Sequence, residues 1–211
     1  MNPQTPQTTQ IDSLAGPARY IAFQGSRRIA AGPLEQVALD ARQALEHDAA
    51  TPVLVFDERS SQLVELDLRG SAGDVLERLA QPRPPVATVA RGPGRPRLGV
   101  VAREVTLLPR HWDWLNLQPG GASVALRRLV EEARRANQDK DRVRLAQEVS
   151  YRFMSTMASG LAGFEEATRA LFAGDRVRFD AQIAPWPPDI QTHARRLAAP
   201  AFLTAPEGPS A

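Results

Sequence analysis

A chain of 211 residues is long enough for one sizeable domain or two small ones, and its 43% hydrophobic and 24% charged residues are globular proportions, not those of a disordered chain. No window approaches the ~18 consecutive apolar residues of a membrane span, and the lack of cysteine excludes disulfides, thiolate chemistry and a cysteine-built zinc site. The formal net charge of +2 is unevenly spread: residues 1–90 hold eight arginines against eleven acids, residues 91–135 nine against four, and residues 136–211 nine basic groups against nine acids.

A basic middle between an acidic and a neutral end points to a local anionic partner. Lys140 is the only lysine. A base composition that favours arginine codons explains this as readily as chemistry does, but arginine is also the better fork for phosphate and guanine. Residues 1–10 are rich in Gln, Thr and Pro and have neither a basic n-region nor an apolar h-region. They predict a cytoplasmic protein without a classical secretory signal. Residues 1–17 read as a disordered N-terminus.

The elements follow in chain order. Residues 20–23 and 28–31 read as two strands around Gln24-Gly25-Ser26. Gly32-Pro33 then starts a helix with Leu34, Val37, Ala38, Ala41 and Leu45 at helical spacing. Residues 53–56 are an apolar run closed by the polar turn 57–61, and residues 63–68 alternate Leu63, Glu65 and Asp67 against Val64, Leu66 and Leu68, the pattern of a half-buried strand. Gly70 ends it, and residues 74–79 form a short helix. Residues 18–80 are therefore predicted to be a small ββαββα domain.

Residues 81–98 form a Pro/Gly/Arg-rich linker, since five prolines between 81 and 96 prevent regular structure. Residues 99–136 form a central segment and residues 137–199 a helical region. The charged run 137–144 extends the preceding helix, and residues 151–157 and 164–172 have helical periodicity before the break Ala173-Gly174-Asp175. Further helices at 176–183 and 190–197 flank Pro185-Trp186-Pro187-Pro188, where Trp186 reads as a hydrophobic plug. Residues 200–211 form a flexible tail. The fold class is thus α+β: a ββαββα domain, a strand-helix-helix centre and a small helical region.

Within the centre, residues 103–109 (Arg-Glu-Val-Thr-Leu-Leu-Pro) form a short β-prone stretch, and its closing proline suits the first turn of a helix. Residues 110–117 supply that helix, with Trp112, Trp114, Leu115 and Leu117. Gln118-Pro119-Gly120-Gly121 breaks it. Ser123 reads as an N-cap, and Val124, Leu126, Leu129, Val130 and Ala133 stripe a second helix. So small a unit cannot bury a core alone and needs a partner.

The order and spacing of Thr106-Leu107-Leu108-Pro109, Gly120-Gly121-Ala122-Ser123 and Leu126-Arg127-Arg128-Leu129-Val130 resemble the ribbon-helix-helix repressors of the Arc and MetJ type. The resemblance implies an intertwined homodimer whose paired strands enter the major groove of double-stranded DNA as a two-stranded ribbon. It implies Arg103 and Thr106 as base readers, Arg110 as a phosphate contact, and Gly121 and Ser123 at a helix start facing phosphate. Val105, Leu107, Trp112, Leu126, Leu129 and Val130 would then form the dimer interface. The strand has two possible phases, one exposing Arg103, Val105 and Leu107, the other Glu104, Thr106 and Leu108, and both leave few polar base readers. Arg91-Gly92-Pro93-Gly94-Arg95-Pro96-Arg97 resembles an AT-hook interrupted by Pro93, which implies an arm placing Arg91, Arg95 and Arg97 along a minor groove.

Ala22-Phe23, Val55-Phe56-Asp57, Asp67-Leu68-Arg69-Gly70, residues 94–135 and residues 164–174 resemble an uncharacterised bacterial family, domain of unknown function 2239. That likeness implies no activity. The residues themselves predict none. His47, His111 and His193 lack ligand spacing, so no metal or cofactor is expected. Asp57-Glu58 and Glu165-Glu166 are adjacent acids typical of solvated faces, and Gly121-Ala122-Ser123-Val124-Ala125 lacks the second glycine of a nucleophile elbow. The expected function is a dimeric DNA-binding transcriptional regulator without catalysis; the alternative is an interaction protein that uses the same segment only to dimerise.

Overall fold

The structure, a computed structural model, describes residues 19–81 and 103–202, and these fall into two compact units. Residues 19–81 and 143–202 belong to the first unit, and residues 103–142 to the second.

The first unit starts from a hairpin. β1 (Tyr20–Gln24) and β2 (Arg27–Gly32) pair antiparallel across Gly25-Ser26, with Gly25 at φ +55° and a bulge between Ala22 and Phe23. α1 (Leu34–His47) follows, and β3 (Val53–Asp57) returns antiparallel to the other side of β1, giving the order β2-β1-β3. Because successive strand side chains point to opposite faces, β1 serves two cores. Ala22 joins Ala30, Val37 and Val55 beneath α1. Ile21 and Phe23 face the other way, into a larger core with Phe56, Phe153, Met154, Leu171, Phe179, Ile183 and Ile190. The buried Gln24 ends β1 by donating its Nε2 to the carbonyls of Asp48, at 2.9 Å, and of Ala44 and Thr51. It thereby ties the strand to the far end of α1.

Residues 63–68 depart from the predicted strand. Only Leu63 makes a bridge, to Phe56, and Val64 N–H adds a bond to the Val55 carbonyl. The alternation is nevertheless real, since Val64 and Leu66 pack on the smaller core. Ladder pairing stops because Asp67 turns its carboxylate onto Arg69, accepting from Nε and Nη2 at 2.9 Å each. α2 (Ala72–Ala80) then starts with a capping box between Ser71 and Asp74. The arrangement is therefore ββαβα with an extended segment, not ββαββα.

A second departure is α4, one unbroken helix of 37 residues, Gly121–Met157. It merges the predicted second helix of the centre, the charged run and residues 151–157. Nothing in 136–150 breaks a helix, and intrahelical ion pairs such as Arg142–Asp139 at 3.0 Å support the charged stretch. Its last turns place Val149, Phe153 and Met154 in the larger core.

α5 (Phe164–Ala173) ends on Gly174 at φ +71°, α6 (Arg176–Ile183) is capped by Asp175, whose carboxylate accepts from Arg178 N–H at 2.9 Å, and α7 (Pro188–Ala198) has proline in its first turn. Trp186 is buried, and its Nε1 donates to the Ala162 carbonyl at 2.9 Å. It is the plug its bracket of prolines suggested. Residues 18–80 and 137–199, separate stretches in the sequence reading, share this core from β1 to α7.

Candidate nucleic-acid interface

The second unit begins with residues 103–108, which lie in neither helix nor strand. Leu108 is extended (φ −65°, ψ 148°), as a residue before proline must be, and its carbonyl accepts from His111 N–H at 2.8 Å and Trp112 N–H at 3.3 Å. α3 (Pro109–Asn116) has Pro109 in its first turn, where a missing N–H costs nothing. Gln118 closes it, with Gln118 N–H to Leu115 O at 3.2 Å and its side-chain amide to Trp114 O at 3.2 Å. Gly120 and Gly121 adopt φ +83° and +74°, and a β-carbon at Gly120 would lie 3.0 Å from Val124 Cβ. Only glycine makes this turn without strain.

The residues expected to meet DNA are distributed as follows. Arg91, Arg95 and Arg97 lie outside the described residues. Arg103, Thr106, Arg110 and Ser123 are exposed, and Gly121 is half-buried at the start of α4. Ser123 is the third residue of α4 and not the residue before it, because the two left-handed glycines already complete the turn. Its carbonyl instead accepts from Arg127 Nε at 3.1 Å.

Electrostatics separate two kinds of arginine here. Arg128 pairs with Glu132 at 3.8 Å, and Glu131 accepts from Arg134 at 3.0 Å and Arg135 at 3.2 Å, which pulls the Glu131 carboxyl below its ordinary value, chiefly through the Arg134 hydrogen bond. No ion pair joins Arg103, Arg110 or Arg127 to a carboxylate among the described residues. The single Glu131 carboxylate offsets only one of the two guanidiniums it accepts from, so positive charge remains on this face of α4 as well.

The apolar residues of the unit are unusually wet. Leu115 and Ala125 are its only fully buried hydrophobic residues among those described. Of the residues expected at a dimer interface, Leu107, Trp112 and Leu126 are half-buried, while Val105, Leu129 and Val130 are 52%, 36% and 63% exposed. Leu108, Trp114, Leu117 and Val124 are exposed as well.

The first unit holds one chemically unusual group that sequence alone did not single out. His193, on α7, is buried against Phe153 and Phe23, with ring centroids 4.5 and 5.6 Å away. Its Nδ1 lies 3.3 Å from Arg196 Nη2, which can only donate, so the imidazole is neutral with its proton on Nε2. Burial, then Arg196 and Arg28, push its pKa down to about 4. Arg196 also pairs with Glu58 at 2.8 Å, and Glu58 with Arg19 at 3.5 Å. This is an ion-pair chain rather than a reactive constellation, and no group of three or more His, Asp or Glu among the described residues is placed to hold a metal. No helix among them is long and apolar enough to cross a membrane.

These features define a mixed α+β protein: a three-stranded antiparallel sheet between one helix and a helical layer, with a helical second unit. The chain belongs to the family described as an uncharacterized protein conserved in bacteria (DUF2239), whose model matches residues 19–198. No curated protein and no solved structure matches it.

Proposed function

We propose that the protein is a cytoplasmic, non-catalytic, dimeric DNA-binding regulator that reads double-stranded DNA through residues 103–108 of two copies. The supporting observation is the second unit itself, in which Arg103, Arg110 and Arg127, joined to no carboxylate among the described residues, accompany exposed apolar residues. Residues 103–108, β-prone in sequence but outside any strand in the single chain and ending at a proline-started helix, would form a strand by pairing with their own symmetry mate. The resulting ribbon carries Arg103 or, in its other phase, Thr106 outward, with Arg110 toward the phosphates and the Arg91, Arg95 and Arg97 arm beside it. The first unit, with its separate core, would serve as the sensor or docking module.

The test is fluorescence anisotropy of the full chain on random and AT-rich duplexes across a salt series. Expected is steep loss of binding with salt, with Arg103→Ala and the double variant Arg95→Ala/Arg97→Ala each weakening affinity and flattening the salt slope by about one per phosphate contact removed. No binding at low salt by a folded dimer overturns DNA binding and leaves the segment as a dimerisation element.

A further inference from the structure

We infer that residues 131–144 of α4 are a conditional helix, a hinge whose order is set by ionic strength and not by packing. The inference goes beyond nucleic-acid binding and does not depend on it. Nine of these fourteen residues are charged, five basic and four acidic. None of them is buried: Glu131, Asp139 and Val143 are half-buried and the other eleven are exposed. The contrast lies within one helix, because from Ala146 onward Val149, Ser150, Phe153 and Met154 are buried. A helical span that is exposed on every face and covers no core gains little from burial. Its order depends on intrinsic propensity and on pairs between its own side chains.

Propensity is weak in the middle of the span, where Asn137, Asp139 and Asp141 are poor helix formers whose side chains compete for backbone groups. Asn137 does so directly, its Nδ2 donating to the Ala133 carbonyl at 2.8 Å. Charge supplies the rest. Glu131 accepts from Arg134 at 3.0 Å and Arg135 at 3.2 Å, Arg142 pairs with Asp139 at 3.0 Å, and Arg128 pairs with Glu132 at 3.8 Å. All four pairs join residues three or four apart, and their side chains are between 42% and 76% exposed. Salt reaches such pairs and screens them, and each adds only a little to the helix. At low ionic strength the pairs together hold the span; at high ionic strength they fade, while the buried turns after Ala146 keep their own anchor. Because α4 starts in the second unit and ends in the first, the closed span is a stiff spacer of about 21 Å and the open span a flexible tether.

Hydrogen exchange of the full chain tests this, read peptide by peptide at constant pH and temperature and normalised to the unfolded chain in the same salt. Between about 0.01 M and about 1 M sodium chloride, exchange in 131–144 should rise by about fivefold while that of 147–157 stays within about twofold. Glu131→Gln removes the acceptor of two arginines, so it should raise low-salt exchange in 131–144 by about twofold and roughly halve the salt response. Ala136→Gly touches no ion pair and should raise exchange there by about fivefold at either salt. Protection in 131–144 equal to that of 147–157, or exchange indifferent to salt, overturns the inference, since packing would then hold the span. A salt response undiminished in Glu131→Gln, or an Ala136→Gly variant that exchanges like the parent chain, overturns it as well.

Discussion

His193 carries its environment in its proton. Its folded pKa of about 4 lies below the ordinary 6.5, so the folded state resists protonation and the unfolded state accepts it. Stability is therefore fully present above about pH 6.5 and falls as pH drops toward 4, by at most about 3 kcal/mol for this one group. Urea midpoints between pH 7 and 4 should show that slope, and His193→Phe should remove most of it; an unchanged slope would mean the imidazole is not held neutral. Gly163 poses a purely steric question. At φ +81°, a β-carbon there would lie 2.9 Å from the Gln182 carbonyl oxygen. Gly163→Ala should cost about 1–3 kcal/mol in equilibrium denaturation, combining left-handed strain with a backbone clash that cannot rotate away.

Among the elements, α2 is short and joined to its unit mainly through Val75, so its start matters. Ser71 Oγ accepts from Asp74 N–H at 3.2 Å, while the Asp74 carboxylate accepts from Ser71 N–H at 2.7 Å and from Ser71 Oγ at 2.9 Å, which holds it below its ordinary value. Ser71→Ala should destabilise the protein by about 1 kcal/mol, with hydrogen exchange rising first in 72–80. Phe153 belongs to α4 but to the sheet's energetics, because it touches Phe23, Phe56 and His193 at centroid distances of 5.5, 5.4 and 4.5 Å. Phe153→Ala should cost about 3–5 kcal/mol, and a loss below 1 kcal/mol would mean that this aromatic cluster is not a core.

For the whole molecule, the proposed function rests on self-association. The second unit leaves Val105, Leu117, Val124 and Val130 in water, and the proposed dimer would draw on that apolar surface. Leu129→Glu places a charge in the proposed dimer interface and should shift the full chain from dimer to monomer at micromolar concentration while leaving the first unit's melting unchanged. Loss of dimer should bring loss of DNA affinity, because one copy presents only half the phosphate contacts.

How far the sequence carried these conclusions depends on the range of the interactions involved. The hairpin at Gly25-Ser26, α1 after Gly32-Pro33, the proline start of α3, the Gly120-Gly121 turn and the Trp186 plug were all legible, because glycine, proline and periodic apolar residues act on their immediate neighbours. Residues 63–68 had strand alternation without a strand, since only Leu63 bridges to Phe56 before Asp67 and Arg69 close on each other. The basic residues of the centre were legible but their partners were not: only the structure joins Arg128 to Glu132 and both Arg134 and Arg135 to Glu131. The sequence by itself determined composition class, the local elements and the basic centre. The tertiary structure alone decided that β1 faces two cores, that α4 runs unbroken to Met157, and that His193 is buried neutral. Each of those depends on residues far apart in the chain meeting in space, which no local pattern encodes.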